Sequence, residues 1–215
     1  EAVVNFLTNN SWHFGDEREL YTPAEAIARF DLSGINPTNA AYQPDKLDWY
    51  NGQYIRRLEP DVLAERLLPV MQRAAIAADL ETVRAVAPLV QERLKRLSAD
   101  EVMEYAGFLF RPVFAPASRD MLLKGFKGEA GTAAAALRAA ADALAAAEPF
   151  TREAVESALR ALVETSGLKA KELFGLVRAA VTGQEVSSPL FETVALIGQA
   201  GCVERLRAAA EQVEA

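Results

Sequence analysis

From Pro60 onward, apolar residues recur at intervals of three and four: Leu63, Leu67, Val70 and Ala74, then Leu80, Val83, Val86, Val90, Leu94 and Leu97. That period lines one stripe of an α-helix and cannot line one face of a β-strand, whose side chains alternate. Start signals agree with it. Thr22, Pro23 and Glu25 stand as N-cap, first-turn proline and capping glutamate, and Ser98 with Glu101 has capping-box spacing. No persuasive strand pattern occurs in the 215 residues, so the predicted fold class is all-α.

The periodicity breaks twice. Glu59-Pro60 starts a helix after an aromatic segment, and Pro112, Pro116, Ser118 and Gly125 interrupt the stretch from Phe110 to Gly128. These breaks predict three parts: a first domain over 1–59, then two helical bundles over 60–122 and 123–215. Asp31 to Pro44 reads as an ordered loop. Ala130 to Ala147 is low in complexity but patterned, and reads as a helix that could space two bundles.

Hydrophobic residues make up 51% of the chain, but alanine supplies much of this and buries little area per residue. The Ala-rich run from Ala133 to Ala147 is cut by Arg138 and Asp142, so no segment reads as a bilayer span. A first residue of Glu, with no basic and apolar leader, reads as a fragment or processed piece. The single cysteine, Cys202, fits a small buried hydrophobe and a reducing cytoplasm. A monomer is expected.

Catalytic equipment is sparse. His13 is the one histidine, which rules out a zinc site with two or more histidines and leaves a Ser-His-Asp triad only that ring. The Gly128-Glu-Ala-Gly131-Thr run lacks the lysine and preceding strand of a phosphate loop. Asp100 and Glu101 fall at a helix start, where carboxylates favour the positive end of the dipole. No catalytic residue is assigned.

What remains is equipment for holding RNA. Lys46 to Arg57 reads K-L-D-W-Y-N-G-Q-Y-I-R-R. Trp49 and Tyr54 are expected in the core, Asn51-Gly52 reads as a turn, and Lys46, Asn51, Arg56 and Arg57 are expected on the rim. Near the other end, Arg178 lies on a helix with Leu173, Val177 and Val181, and a short polar loop puts Ser187 and Ser188 ahead of Pro189. Their hydroxyls and amides could face outward at the start of the next helix. Equally, the corner could be a tight helix joint with Ser188 capping and Phe191 in the core.

The formal net charge of −7 weighs against a simple nucleic-acid binder. Three local cationic groups stand against that total: Arg56-Arg57, Arg93-Lys95-Arg96, and Lys169, Lys171 and Arg178. An all-helical scaffold with no RNA role is the alternative reading.

Val4-Asn5-Phe6-Leu7, Ser11-Trp12, Gly15 to Glu19, the Lys46 unit, Arg178 to Gly183 and Ser187 to Phe191, in that order, resemble the C-terminal half of bacterial-type glutamate–tRNA ligases, class I aminoacyl-tRNA synthetases. The resemblance implies a stem-contact domain followed by two anticodon-binding domains, with glutamate tRNA rather than DNA or a membrane as partner. It places Arg178, Ser187, Ser188 and Leu190 where the family contacts anticodon bases. It places Lys46, Asn51, Arg56 and Arg57 against the inner stem region, with Lys169 and Lys171 as further backbone contacts. The family commonly has proline where Ser188 stands, and a Ser/Lys-containing run where this chain has Asn36-Pro37-Thr38-Asn39. Its two-histidine ATP signature and lysine-serine loop are absent here, so ATP and magnesium chemistry are expected outside this chain.

Overall fold

A computed structural model describes residues 1–12, 18–37, 42–111 and 114–215. His13, Gly15 to Glu17, Thr38, Asn39 and Pro112, singled out above, lie outside them. The described residues form α-helices and short 3-10 turns with no strand, and they group into two compact units, Glu1–Glu101 and Val102–Ala215. That grouping is coarser than the expected three parts, and its boundary falls inside a helix rather than at 59/60 or 122/123.

The first unit holds α1 (Ala2–Ser11), α2 (Pro23–Arg29), α3 (Pro44–Arg56), α4 (Pro60–Arg73), α5 (Leu80–Val90) and the first residues of α6 (Ala99–Ala106). Thr22 and Glu25 build the expected capping box at α2. At α6 only half of one forms. Ser98 Oγ accepts from the Glu101 amide at 3.3 Å, whereas the Glu101 carboxylate turns back to the amides of Lys95 and Arg96 at 2.7 and 3.0 Å.

α1 and α3 enclose Ala2, Phe6 and Tyr50. Asn5, 1% exposed, is the polar hub beside them: its Oδ1 accepts from the Tyr54 hydroxyl at 2.8 Å and the Tyr21 amide at 3.2 Å, and its Nδ2 donates to Glu19 O at 2.7 Å. Every polar atom of the side chain is therefore satisfied without water. α4 and α5 pack along each other, burying the predicted Leu63, Leu67, Val83, Val86 and Val90.

The proline at position 60 does not part α3 from the helices after it, because Gln91, at the end of α5, ties back to α3. Its buried side chain donates to Ile55 O at 3.0 Å and Leu58 O at 2.7 Å, supplying donors that the end of α3 lacks within its own helix. Gln91→Ala is expected to destabilise the first unit by about 1–3 kcal/mol, read from urea unfolding. A loss below ~0.5 kcal/mol would mean that water replaces the amide at no cost.

The second unit continues with α7 (Arg119–Leu123), α8 (Ala130–Ala145), α9 (Arg152–Ser166), α10 (Ala170–Thr182), α11 (Leu190–Ile197) and α12 (Gln199–Glu214). The Ala-rich α8 is its centre rather than a spacer, with Ala133, Ala134, Leu137, Ala140, Ala141 and Leu144 all fully buried. It packs most extensively along α12, where small side chains let the two backbones approach. Cys202 is buried in the same core. Its thiol points to Val194 O at 3.4 Å, and burial pushes its pKa up to about 12, which keeps it protonated and unreactive.

Candidate nucleic-acid interface

In the first unit, α3 runs straight through Asn51 and Gly52, where a turn was expected. The glycine serves closeness instead. Gly52 is buried, and a Cβ there would meet Leu94 O and the Arg56 guanidinium at 3.3 Å. Asn51 Nδ2 donates to Lys95 O at 2.7 Å, Arg56 Nη1 donates to Glu92 O at 3.3 Å, and Arg96 forms a forked pair with Asp48, its Nε 2.7 Å from Oδ1. Positions 48, 51, 52 and 56 share one helical face, and that face docks onto residues 92–96. Two of the expected rim residues, Asn51 and Arg56, are thus packing groups.

Lys46 reaches Glu19 Oε1 at 3.0 Å, and that hydrogen bond raises its pKa above the ordinary lysine value. Arg57 is exposed and forms no ion pair among the described residues. The aromatic expectations divide. Tyr50 is fully buried and Tyr54 partly so, but Trp49 is 40% exposed, its ring meeting Tyr50 edge-on at 5.0 Å between centroids.

In the second unit, Arg178, Ser187, Ser188 and Leu190 do converge on one corner. Arg178 Nη1 donates to Ser187 Oγ at 2.5 Å, Ser188 O at 2.7 Å and Ser187 O at 3.3 Å. Ser188 Oγ pairs with Thr193 Oγ1 at 2.7 Å, and its amide donates to Tyr105 O at 3.0 Å. The hydroxyls therefore face inward, which corrects the expectation that they point to solvent: Ser187, Ser188 and Leu190 are 1%, 0% and 6% exposed. The chain enters this corner through Gly183, whose φ of +67° and contact with Ala115 O leave no room for a side chain. Arg178 remains partly exposed.

Arg178 also lines a cleft of about 360 Å³ between α10 and the Lys124–Phe126 turn, together with Lys124, Phe126, Lys171, Phe174 and Glu185. Lys124 pairs with Glu185 at 2.6 Å across exposed surface. Lys171 is exposed, with no ion pair among the described residues, and Lys169 is exposed just before α10. Sequence reasoning found Lys171 and Arg178 but not Lys124, Phe126 or Glu185. The isolated Gly175 inside an apolar-periodic helix was the one available signal.

A family described as an anticodon-binding domain matches residues 62–210. The chain belongs to that family. Its similarity to glutamate–tRNA ligases extends over the whole chain: it is 40% identical to that of Roseiflexus sp. strain RS-1, over 97% of this chain and 42% of that protein. It is 41% identical to that of Acidothermus cellulolyticus, over 100% of this chain and 43% of that protein. The chain thus spans about two fifths of the length of these relatives. A crystal structure of a glutamate tRNA ligase from Elizabethkingia meningosepticum superposes with a TM-score of 0.83, covering 99% of this chain and 41% of that one at 19% identity, which establishes the shared all-α fold. The anticodon-binding family match and these relatives bear out the resemblance read from the sequence. No helix of the described residues is long and apolar enough to cross a membrane.

Proposed function

We propose that this chain, as a monomer in the cytoplasm, binds and positions glutamate tRNA and reads its anticodon for a ligase whose ATP- and magnesium-dependent step lies outside residues 1–215. The observation that carries the reading is the anticodon-binding family match over 62–210, within which Arg178, Ser187, Ser188 and Leu190 share one corner.

In that corner Arg178 is the one side chain of the four that reaches the surface. Its Nη1 is engaged by the Ser187–Ser188 backbone, which fixes the guanidinium plane at a partly exposed position, and a fixed plane can stack on an unpaired base. Ser187, Ser188 and Leu190 act through this support and through the shape of the corner. Lys169, Lys171 and Arg57 are exposed cations suited to phosphate. Asn51 and Arg56 support the stem-contact surface from within, and Lys46 stands on it in an exposed ion pair with Glu19. ATP and magnesium chemistry is read as lying outside these residues because no glycine-rich loop with a following Lys-Ser/Thr occurs in the sequence.

Titration of fluorescent glutamate tRNA at several salt concentrations tests the reading. Neutralising three phosphates gives a slope of about −2 to −3 for log K against log salt. A flat dependence, or absence of binding at low salt, would leave the helical-scaffold alternative.

A further inference from the structure

We propose that Arg205 of α12, which lies outside the Arg178 corner, is a positioning residue for RNA recognition, acting through the last turn of α10 and through Phe114. The inference rests on the tRNA-binding reading above. Arginine is seldom withdrawn from water without a carboxylate beside it, yet the partly buried Arg205 forms no ion pair among the described residues. Its partners are of another kind. Nη1 donates to Val181 O at 2.7 Å, and the guanidinium lies over the Phe114 ring, 4.0 Å from its centroid. Burial holds the pKa below the ordinary arginine value, which marks a partly desolvated cation, and desolvation strengthens the attraction to a ring face.

Both contacts fall on parts that shape the chain's path into the corner. Val181 belongs to the final turn of α10, where carbonyls lack partners within their own helix. Arg178 stands three residues earlier on that helix. Its carbonyl accepts from Thr182 Oγ1 at 2.7 Å, and the same hydroxyl accepts from the Gln184 amide at 3.1 Å. The last turn of α10 is therefore the frame from which residues 182–188 are hung, and Arg205 ties that frame to α12. Phe114 works from the other side. Together with Ala115 it abuts Gly183, where a side chain would collide with Ala115 O and meet the Phe114 ring at 3.7 Å. Gly183 leaves the helix at φ +67°, so a shift of the 114–115 backbone redirects the chain toward Ser187.

Little else holds this junction. Ala115 and Pro116 are exposed, and a cleft of about 420 Å³ opens beside the stacked pair, lined by Phe114, Pro116, Arg205 and Gln212 among others. With open space on that side, close packing does not fix the segment, and the guanidinium does. Displacements of about 1 Å are enough to spoil a recognition geometry.

Arg205→Ala should weaken binding of glutamate tRNA about fivefold. Affinity for the same tRNA body carrying a foreign anticodon, and the slope of affinity against salt, should stay as in wild type. Phe114→Leu should act in the same direction, and the double variant should lose no more than Arg205→Ala alone, because the two side chains form one unit. Phe114→Leu leaves the hydrogen bond to Val181 in place, and it carries the test alone if circular dichroism shows Arg205→Ala unfolded. The inference is overturned if the folded variants keep the wild-type anticodon preference, if they weaken both RNAs alike, or if the two changes multiply. A salt slope shallower by about 1 in Arg205→Ala would also overturn it, since that is the mark of direct phosphate contact. A wild-type protein with no anticodon preference would overturn the tRNA reading itself, and this inference with it.

Discussion

Arg178→Ala is expected to reduce affinity for glutamate tRNA by about tenfold or more while leaving a tRNA with a foreign anticodon almost unaffected. The reason is geometric. Arg178 Nη1 serves Ser187 O, Ser187 Oγ and Ser188 O at once, so the guanidinium is held before RNA arrives and little ordering entropy is spent on binding. Removing it also strips buried carbonyls of a charged donor, a loss of about 1–3 kcal/mol in stability.

Arg178→Lys separates the two consequences. An ammonium retains the charge but lacks the planar fork, so it should recover part of the stability and little of the anticodon preference. If Arg178→Lys restored discrimination fully, the residue would be acting as a point charge. If Arg178→Ala weakened both tRNAs equally, it would be a structural strut alone. Affinities by anisotropy and unfolding midpoints in urea decide among these.

Leu137→Ala is expected to cost the second unit about 2–5 kcal/mol, toward the upper end of that range. Leu137 is fully buried on α8 among Ala133, Ala134, Ala140 and Ala141, all equally inaccessible. Alanines have no side-chain rotamers with which to fill a hole, so the vacated volume persists as a cavity rather than collapsing. A loss below ~1 kcal/mol in the transition assigned to this unit would show that α8 and α12 can slide together. The same reasoning explains why an alanine-rich helix makes a core here: its packing comes from backbone proximity rather than from large side chains.

The helices were legible in the sequence because period and caps are local signals. Leu63, Leu67, Val83 and Val86 fell where the spacing put them, and the Thr22–Glu25 box closed as read. Asn51-Gly52 misled because glycine answers two demands, a positive φ and a close backbone approach, and sequence does not distinguish them. At Gly52 the demand comes from Leu94, far along the chain. Trp49 and Tyr50 likewise could not be ranked for burial by composition, since only the crossing of α1 with α3 determines which ring is enclosed.

The corner around Arg178 was legible only in part. Arg178, Ser187, Ser188 and Leu190 do meet, yet the serines face inward because Arg178, Thr193 and Tyr105 supply partners from elsewhere in the unit. A polar loop before a proline reads as exposed when those partners are unseen. Lys124 and Phe126 were missed for a related reason: they line the same cleft as Arg178 from a distant part of the chain, and neither residue type is unusual in its own stretch of sequence.

The central claim is that this chain distinguishes tRNAs by their anticodon. Equilibrium affinity of the wild-type protein for two transcripts, glutamate tRNA and the same body carrying an unrelated anticodon, measured at one salt concentration, tests it most directly. The account predicts a preference of about tenfold or more for the first; equal affinity would contradict it.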